Sequence, residues 1–145
     1  MKVKECMCGE VCYCTPDTKI SDVAKMMNQK GVGCIPVCDD KKCVVGILTD
    51  RDIILRSIAC DKDVCNTNAS EIMSCNAVCC DCNEEVNNVV KNMGKTGIRR
   101  IPVTENGNLV GIITMGDLAK HKNISTECVG TTFEHICGCN GKNDK

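Results

Sequence analysis

Two stretches of this 145-residue sequence carry the same polar pair at the same spacing: Thr49 with Asp52, and Thr114 with Asp117. A carboxylate accepts hydrogen bonds from both vicinal hydroxyls of a ribose at once, and a threonine hydroxyl three residues earlier can donate to ribose or phosphate. Alone, Thr-x-x-Asp is an N-cap signature. Here it occurs twice, each time after an apolar run (Gly46-Ile47-Leu48 and Gly111-Ile112-Ile113), so both pairs stand where a strand gives way to a helix. The free amides of a helix start add a weak attraction for anions.

Sulfur is the second chemical feature, with 16 cysteines in the chain. Cys79-x-x-Cys82 has ligand spacing, and Cys128, His135, Cys137 and Cys139 are chemically sufficient for a tetrahedral zinc site. Vicinal Cys79 and Cys80 also suit a thiol redox switch. Against these readings, spacings such as Cys6-x-Cys8 and Cys12-x-Cys14 put alternate residues on one strand face, where a thiol serves as a small apolar side chain. The opening residues MKVKECMCGE lack the apolar core of a secretory signal, so the expectation is a cytoplasmic protein with reduced thiols. No metal or cofactor is expected to be required, and a metal-binding or redox sensor is the rival class.

Several functions are disfavoured by composition. Eighteen Lys plus Arg against 19 Asp plus Glu leave no excess charge to hold nucleic acid. No apolar run approaches the roughly 20 residues of a membrane-spanning helix. His121 and His135 are the two histidines, both outside the repeated segments, and neither a phosphate-binding glycine loop nor His-Glu-x-x-His is present, so an enzyme is not expected. With Tyr13, Phe133 and no Trp, a planar ligand must lie between aliphatic side chains, proline and peptide planes.

An internal repeat at an offset of 65 to 66 residues positions the two polar pairs. Residues 3–8 align with 69–74, Gly31–Val37 with Gly97–Val103, and Gly46–Asp52 with Gly111–Asp117. Each copy reads as β-α-β-β-α. Short strands are predicted at Val11–Thr15 and Val78–Asp81. Ile20, Val23, Ala24 and Met27, like Val86, Val89, Val90 and Met93, then recur at helical spacing. Thr15-Pro16-Asp17-Thr18 and Asp81-Cys82-Asn83 offer side chains to cap those helices, and Gly31 and Gly97 to end them. Hairpins follow at Cys34–Cys38 with Val44–Leu48 and at Ile101–Thr104 with Leu109–Thr114, the latter turning at Asn106-Gly107. A second helix starts near Asp52 or Asp117 and carries Ile53, Ile54 and Ile58 in the first copy. The expected organisation is a first copy over 1–60, a linker over 61–68, a second copy over 69–120, and a cysteine-containing tail over 121–145, either a helix ending near Gly138 or a loose appendage.

GILTDRD and GIITMGD resemble the G-h-x-T/S-x-x-D signature of CBS (cystathionine β-synthase) domains, and GCIPV and RRIPV resemble that family's LPV strand. The resemblance covers about residues 1–120 and implies a mixed α+β (α/β) fold, two β-α-β-β-α repeats packed about a pseudo-twofold axis as a Bateman module. It also implies a non-catalytic regulatory module, a flat homodimer with an unidentified downstream protein, that binds AMP, ADP, ATP, S-adenosylmethionine or NAD(H) between its repeats. Carried onto this sequence, one site would use Thr49, Arg51 and Asp52, with Ala77, Ile98 and Pro102 at the base and Arg99 or Arg100 facing phosphate. The other would use Thr114 and Asp117 with Val11, Val32, Cys34 and Pro36. Three arginines at the first site predict a preference for phosphorylated nucleotides there. Cysteines at positions 12, 14, 79 and 80, where the family usually has Val or Thr, predict a roomier base pocket.

Overall fold

A computed structural model describes residues 1–140. The chain folds as α1 (Ile20–Lys30), β1 (Cys34–Cys38), β2 (Val44–Thr49), α2 (Asp50–Arg56), α3 (Ala69–Ile72), β3 (Ser74–Cys75), β4 (Cys80–Asp81), α4 (Val86–Thr96), β5 (Arg100–Glu105), β6 (Asn108–Thr114), α5 (Met115–Lys120) and α6 (Thr126–Asn140). Single 3-10 turns occur at Val3–Glu5 and Ile58–Cys60. The sheets are three-stranded, ordered β1-β2-β3 and β4-β5-β6, which bears out the mixed α and β class.

The chain divides into two compact units. One is formed by Cys12–Ala77 with Gly107–Leu109, the other by Met1–Val11, Val78–Asn106 and the described residues from Val110 onward. The opening segment of each copy thus belongs to the unit of the other. In the unit of the first copy, Ala69 and Ile72 of α3 join a core of Ile20, Val23, Ile35, Val37 and Leu48. In the unit of the second copy, Val3 is wholly buried among Val86, Val89, Met93, Ile101 and Ile113.

The linker and the first opening segment also satisfy the helix starts. Lys19 and Glu85 are the N-caps of α1 and α4 and give no side-chain cap. Instead Ile20 N donates to Thr67 O and Ser21 N to Val64 O, while Val86 N donates to Met1 O. The polar side chains expected to cap these helices are engaged elsewhere: Thr18 Oγ1 accepts from Thr15 N, and Asp81 Oδ1 from Asn83 N. Segment 61–68 therefore completes a helix as well as linking copies. At the other end, Gly31 and Gly97 take the left-handed conformation (φ 65 and 72) and return their amides to Met27 O and Met93 O, as expected of C-caps. Asn106 and Gly107 turn the β5–β6 hairpin at φ 52 and 85.

Three apolar expectations need correction. Ala24 is exposed, because α1 buries the narrower stripe Ile20, Val23 and Met27. Ile54 and Ile58 are more than half exposed: α2 ends at Arg56, so only Ile53 of that trio reaches the core. The predicted strand at Val11–Thr15 is reduced to a parallel bridge between Cys14 and Val37. The tail settles as the helix α6, which buries Ile136 against α4 and α5.

An ion cluster ties the first residues to α4. Lys2 Nζ lies 2.6 Å from Glu85 Oε1, and the Met1 amino group lies 3.0 Å from Oε2. These contacts, Lys2 foremost, bring the Glu85 carboxyl down to about 2 from its ordinary 4.5. A carboxyl with a depressed folded value contributes stability fully above its unfolded value and loses it as pH falls. Glu85→Gln is thus expected to be less stable than the parent at neutral pH, with the gap closing between 4.5 and about 2. Thermal melts of both proteins across that window measure it, and a gap that does not change with pH would show that the charge contributes nothing.

Candidate functional site

Each Thr-x-x-Asp pair closes a strand onto a helix through reciprocal bonds. Thr49 is extended (φ −110, ψ 161), its Oγ1 accepts from Asp52 N at 3.1 Å, and its amide donates to Asp52 Oδ2 at 3.0 Å. At the second junction Thr114 Oγ1 accepts from Asp117 N at 3.1 Å, and Thr114 N donates to Asp117 Oδ2 at 2.9 Å. The Thr114 hydroxyl itself lies 2.8 Å from Asp117 Oδ2 as a donor. Both carboxylates therefore use Oδ2 in the cap, and Oδ1 is the oxygen left for other partners. Asp117 Oδ1 accepts no hydrogen bond among the described residues, whereas Asp52 Oδ1 faces Arg56 Nε at 3.7 Å.

The exchanged segments approach both junctions closely. In one unit β3 runs antiparallel to β2, with Cys75 opposite Gly46 and Ser74 opposite Ile47. In the other, Cys8 and Ile112 exchange backbone hydrogen bonds of 2.9 and 3.0 Å. Glycine opens the signature at these points for a steric reason. A Cβ on Gly46 would lie 2.5 Å from Met73 Sδ and 3.0 Å from Ser74 O, and one on Gly111 would lie 2.7 Å from Cys8 O.

The first unit thus holds Thr49, Arg51, Asp52 and Ala77, together with Val32, Cys34 and Pro36. The second holds Thr114, Asp117 and Val11, together with Ile98, Arg99, Arg100 and Pro102. Cys34, Pro36 and Pro102 are buried, Val32, Arg51 and Arg99 exposed, and Val11, Ala77, Ile98 and Arg100 half-buried. Arg51 stands between Thr49 and Asp52 at the place that Gly116 takes between Thr114 and Asp117, so the first junction alone carries a cation within its own loop.

The buried thiols behave as packing groups. Burial pushes Cys14 up to about 11 and Cys80 up to about 12, and raises Cys6, Cys79 and Cys82 as well. Burial thus favours the neutral thiol at these positions. Cys14 and Cys80 lie in the cores of their units. Cys82 donates to Glu105 Oε1 at 3.5 Å. Cys128 and His135 face a groove of about 540 Å³ between α4 and α6, floored by Val90, Gly94 and Thr132. Cys137 is exposed and is not among the lining residues, and the Cys139 side chain lies outside those described. No group of three or more His, Cys, Asp or Glu gathers among the described residues.

The CBS domain model matches residues 3–58 and again residues 69–123. The chain belongs to the CBS domain family. It is 37% identical over 134 residues to the CBS domain-containing protein YhcV of Bacillus subtilis strain 168, covering 92% of this chain and 94% of that protein. Among solved structures, it is similar to Hypoxic Response Protein I with two coordinated zinc ions (TM-score 0.78, 28% identity, 83% of this chain and 98% of that one). It is also similar to the CBS domain pair of protein MJ0100 in complex with 5'-methylthioadenosine and S-adenosyl-L-methionine (TM-score 0.74, 26% identity, 83% and 94%). The CBS match begins at Val3 and so includes the opening segment that joins the second copy's core.

Arg56 escaped the reading of the sequence. Its one visible cue was the Asp52-x-x-x-Arg56 spacing, which places a cation one helical turn from the candidate carboxylate.

Proposed function

We infer that this CBS pair is a regulatory module that holds the ribose of an adenosyl ligand at its Thr-x-x-Asp junctions. The observation that carries the reading is the duplication of one polar geometry: two carboxylates, each capped through Oδ2, at the same strand-to-helix step. A structural neighbour solved with two adenosyl ligands supports that ligand class. The fork of a guanidinium suits phosphate oxygens, so Arg51 directs AMP, ADP or ATP to the Thr49/Asp52 junction. Gly116 leaves the Thr114/Asp117 junction to adenosyl ligands without phosphate, such as S-adenosylmethionine or 5'-methylthioadenosine. Occupancy acts by favouring whichever conformation binds ligand better.

A thermal-shift panel of AMP, ADP, ATP, S-adenosylmethionine, 5'-methylthioadenosine and NADH tests the reading, with zinc as a separate arm. Ligand at 100 times its dissociation constant adds about 2.7 kcal/mol. In a chain of this size that raises the melting temperature by roughly 5–10 °C. Silence with every nucleotide would sink the reading, and a stoichiometric zinc response alone would replace it with metal binding.

A further inference from the structure

We propose that Arg56 is the positioning residue that couples occupancy of the Thr49/Asp52 junction to the exchanged segment carrying β3. The inference rests on the ribose-binding reading of Asp52 and adds how that event is transmitted. Arg56 Nε faces Asp52 Oδ1 at 3.7 Å, while its Nη1 donates to Ile72 O at 3.2 Å and lies 3.4 Å from Ser74 Oγ. Ile72 ends α3 and Ser74 opens β3, so one guanidinium joins the candidate ligand-binding carboxylate to the segment that meets β2 at Gly46 and Ile47.

The coupling follows from how the carboxylate is already used. Asp52 Oδ2 accepts from Thr49 N, so the oxygen more open to a ribose diol is Oδ1, the one that faces Arg56. Asp52 is largely buried and Arg56 half exposed, which makes the arginine the partner free to move. A ribose hydroxyl donating to Oδ1 competes with the guanidinium for that oxygen, which weakens the Arg56–Asp52 contact and with it the bonds to Ile72 and Ser74. Arginine can bridge two acceptors because its planar fork presents donors on several edges. The second copy lacks the device: four residues after Asp117 stands His121, whose Nδ1 accepts from Asn123 N at 3.4 Å. Occupancy of the two junctions therefore has unequal consequences, since only the first carboxylate is joined to its exchanged segment through a guanidinium.

Amide hydrogen exchange on the full chain, with and without saturating AMP, tests this in the parent, Arg56→Gln, Arg56→Lys and Asp52→Asn. In the parent, AMP is expected to speed exchange over residues 72–76 and 46–48 roughly 10- to 100-fold, the scale of losing a charge-assisted hydrogen bond at a locally opening segment. Arg56→Gln should show that fast exchange without AMP and no further change with it, while calorimetry finds AMP bound at least as tightly as in the parent. Arg56→Lys, which keeps the charge but not the fork, should fall between. Tight AMP binding with an undiminished exchange response in Arg56→Gln would overturn the coupling and leave the ribose reading intact. Failure of the parent to bind AMP, ADP or ATP would overturn both. A parent that binds AMP without any change over residues 72–76 would overturn the coupling alone.

Discussion

Gly111→Ala is expected to lower the melting temperature by roughly 6–10 °C, through a loss of about 2–3 kcal/mol. The added methyl would sit 2.7 Å from the Cys8 carbonyl oxygen and 2.8 Å from Met7 Sδ. A flexible thioether can swing away, but the carbonyl cannot: it accepts the 3.0 Å bond from Ile112 N that fastens the opening segment to β6. Relief must therefore come from displacing residues 7 and 8. That displacement would also loosen Val3, which is wholly buried in the core of the same unit. Gly46→Ala meets Met73 Sδ first and the Ser74 carbonyl only at 3.0 Å, so its loss should be smaller, about 1–2 kcal/mol. Gly107→Ala is the control: nothing lies within 4 Å, and only its φ of +85 resists the change. Thermal or urea denaturation of the three variants gives the ranking. A Gly111→Ala protein as stable as Gly107→Ala would refute the close-approach explanation for this glycine.

The same contact shows where sequence reasoning reached its limit. Gly46 and Gly111 were visible as the first residues of matching blocks, and the helix ends at Gly31 and Gly97 and the turn at Asn106-Gly107 followed from local stereochemistry. Such features are decided within a few residues, so the chain spells them out. The exchange of opening segments is not local. Aligning residues 3–8 with 69–74 establishes that the two are equivalent but not which core each one fills, and their hydrophobic patterns would suit either. The starts of α1 and α4 were misread for the same reason. Polar side chains stood nearby, yet the amides of Ile20 and Val86 bond to Thr67 O and Met1 O, carbonyls that come close only once the linker and the first opening segment have docked.

The candidate site divides along the same line. Thr49 with Asp52 and Thr114 with Asp117 were legible because a capping box is a three-residue device. The difference between the two carboxylates was not, because it depends on Arg56 reaching Ile72 and Ser74, sixteen and eighteen positions away. The cysteines illustrate a third case. Their spacing left metal, redox and packing roles open, and burial in the core decided for packing at Cys14 and Cys80.

Asp52→Asn is expected to abolish most of the stabilisation that AMP gives, while Asp117→Asn leaves it in place. Asparagine is the informative replacement because its carbonyl oxygen can still accept from Thr49 N and keep the cap. Its amide nitrogen is a donor, however, and the negative charge that strengthens both bonds from a ribose diol is gone. Losing that assistance costs about 2.7 kcal/mol, or roughly 100-fold in dissociation constant, within the range for hydrogen bonds to charged groups. Ligand at 100 times the parent constant would then stand near the variant's own constant, and its stabilisation would drop from about 2.7 to about 0.4 kcal/mol. The melting shift shrinks accordingly, from roughly 5–10 °C to about 1 °C. Ligand-induced shifts are the quantity to compare, because any weakening of the cap lowers the unliganded stability by up to about 1 kcal/mol. S-adenosylmethionine should give the mirror result, with its shift lost in Asp117→Asn and retained in Asp52→Asn, because Gly116 offers no cation to reward phosphate. An AMP shift that survives in the double variant would place the nucleotide away from both junctions. Equal losses of the AMP and S-adenosylmethionine shifts in each single variant would instead mean that the two junctions act as one site, and that Arg51 does not set the preference.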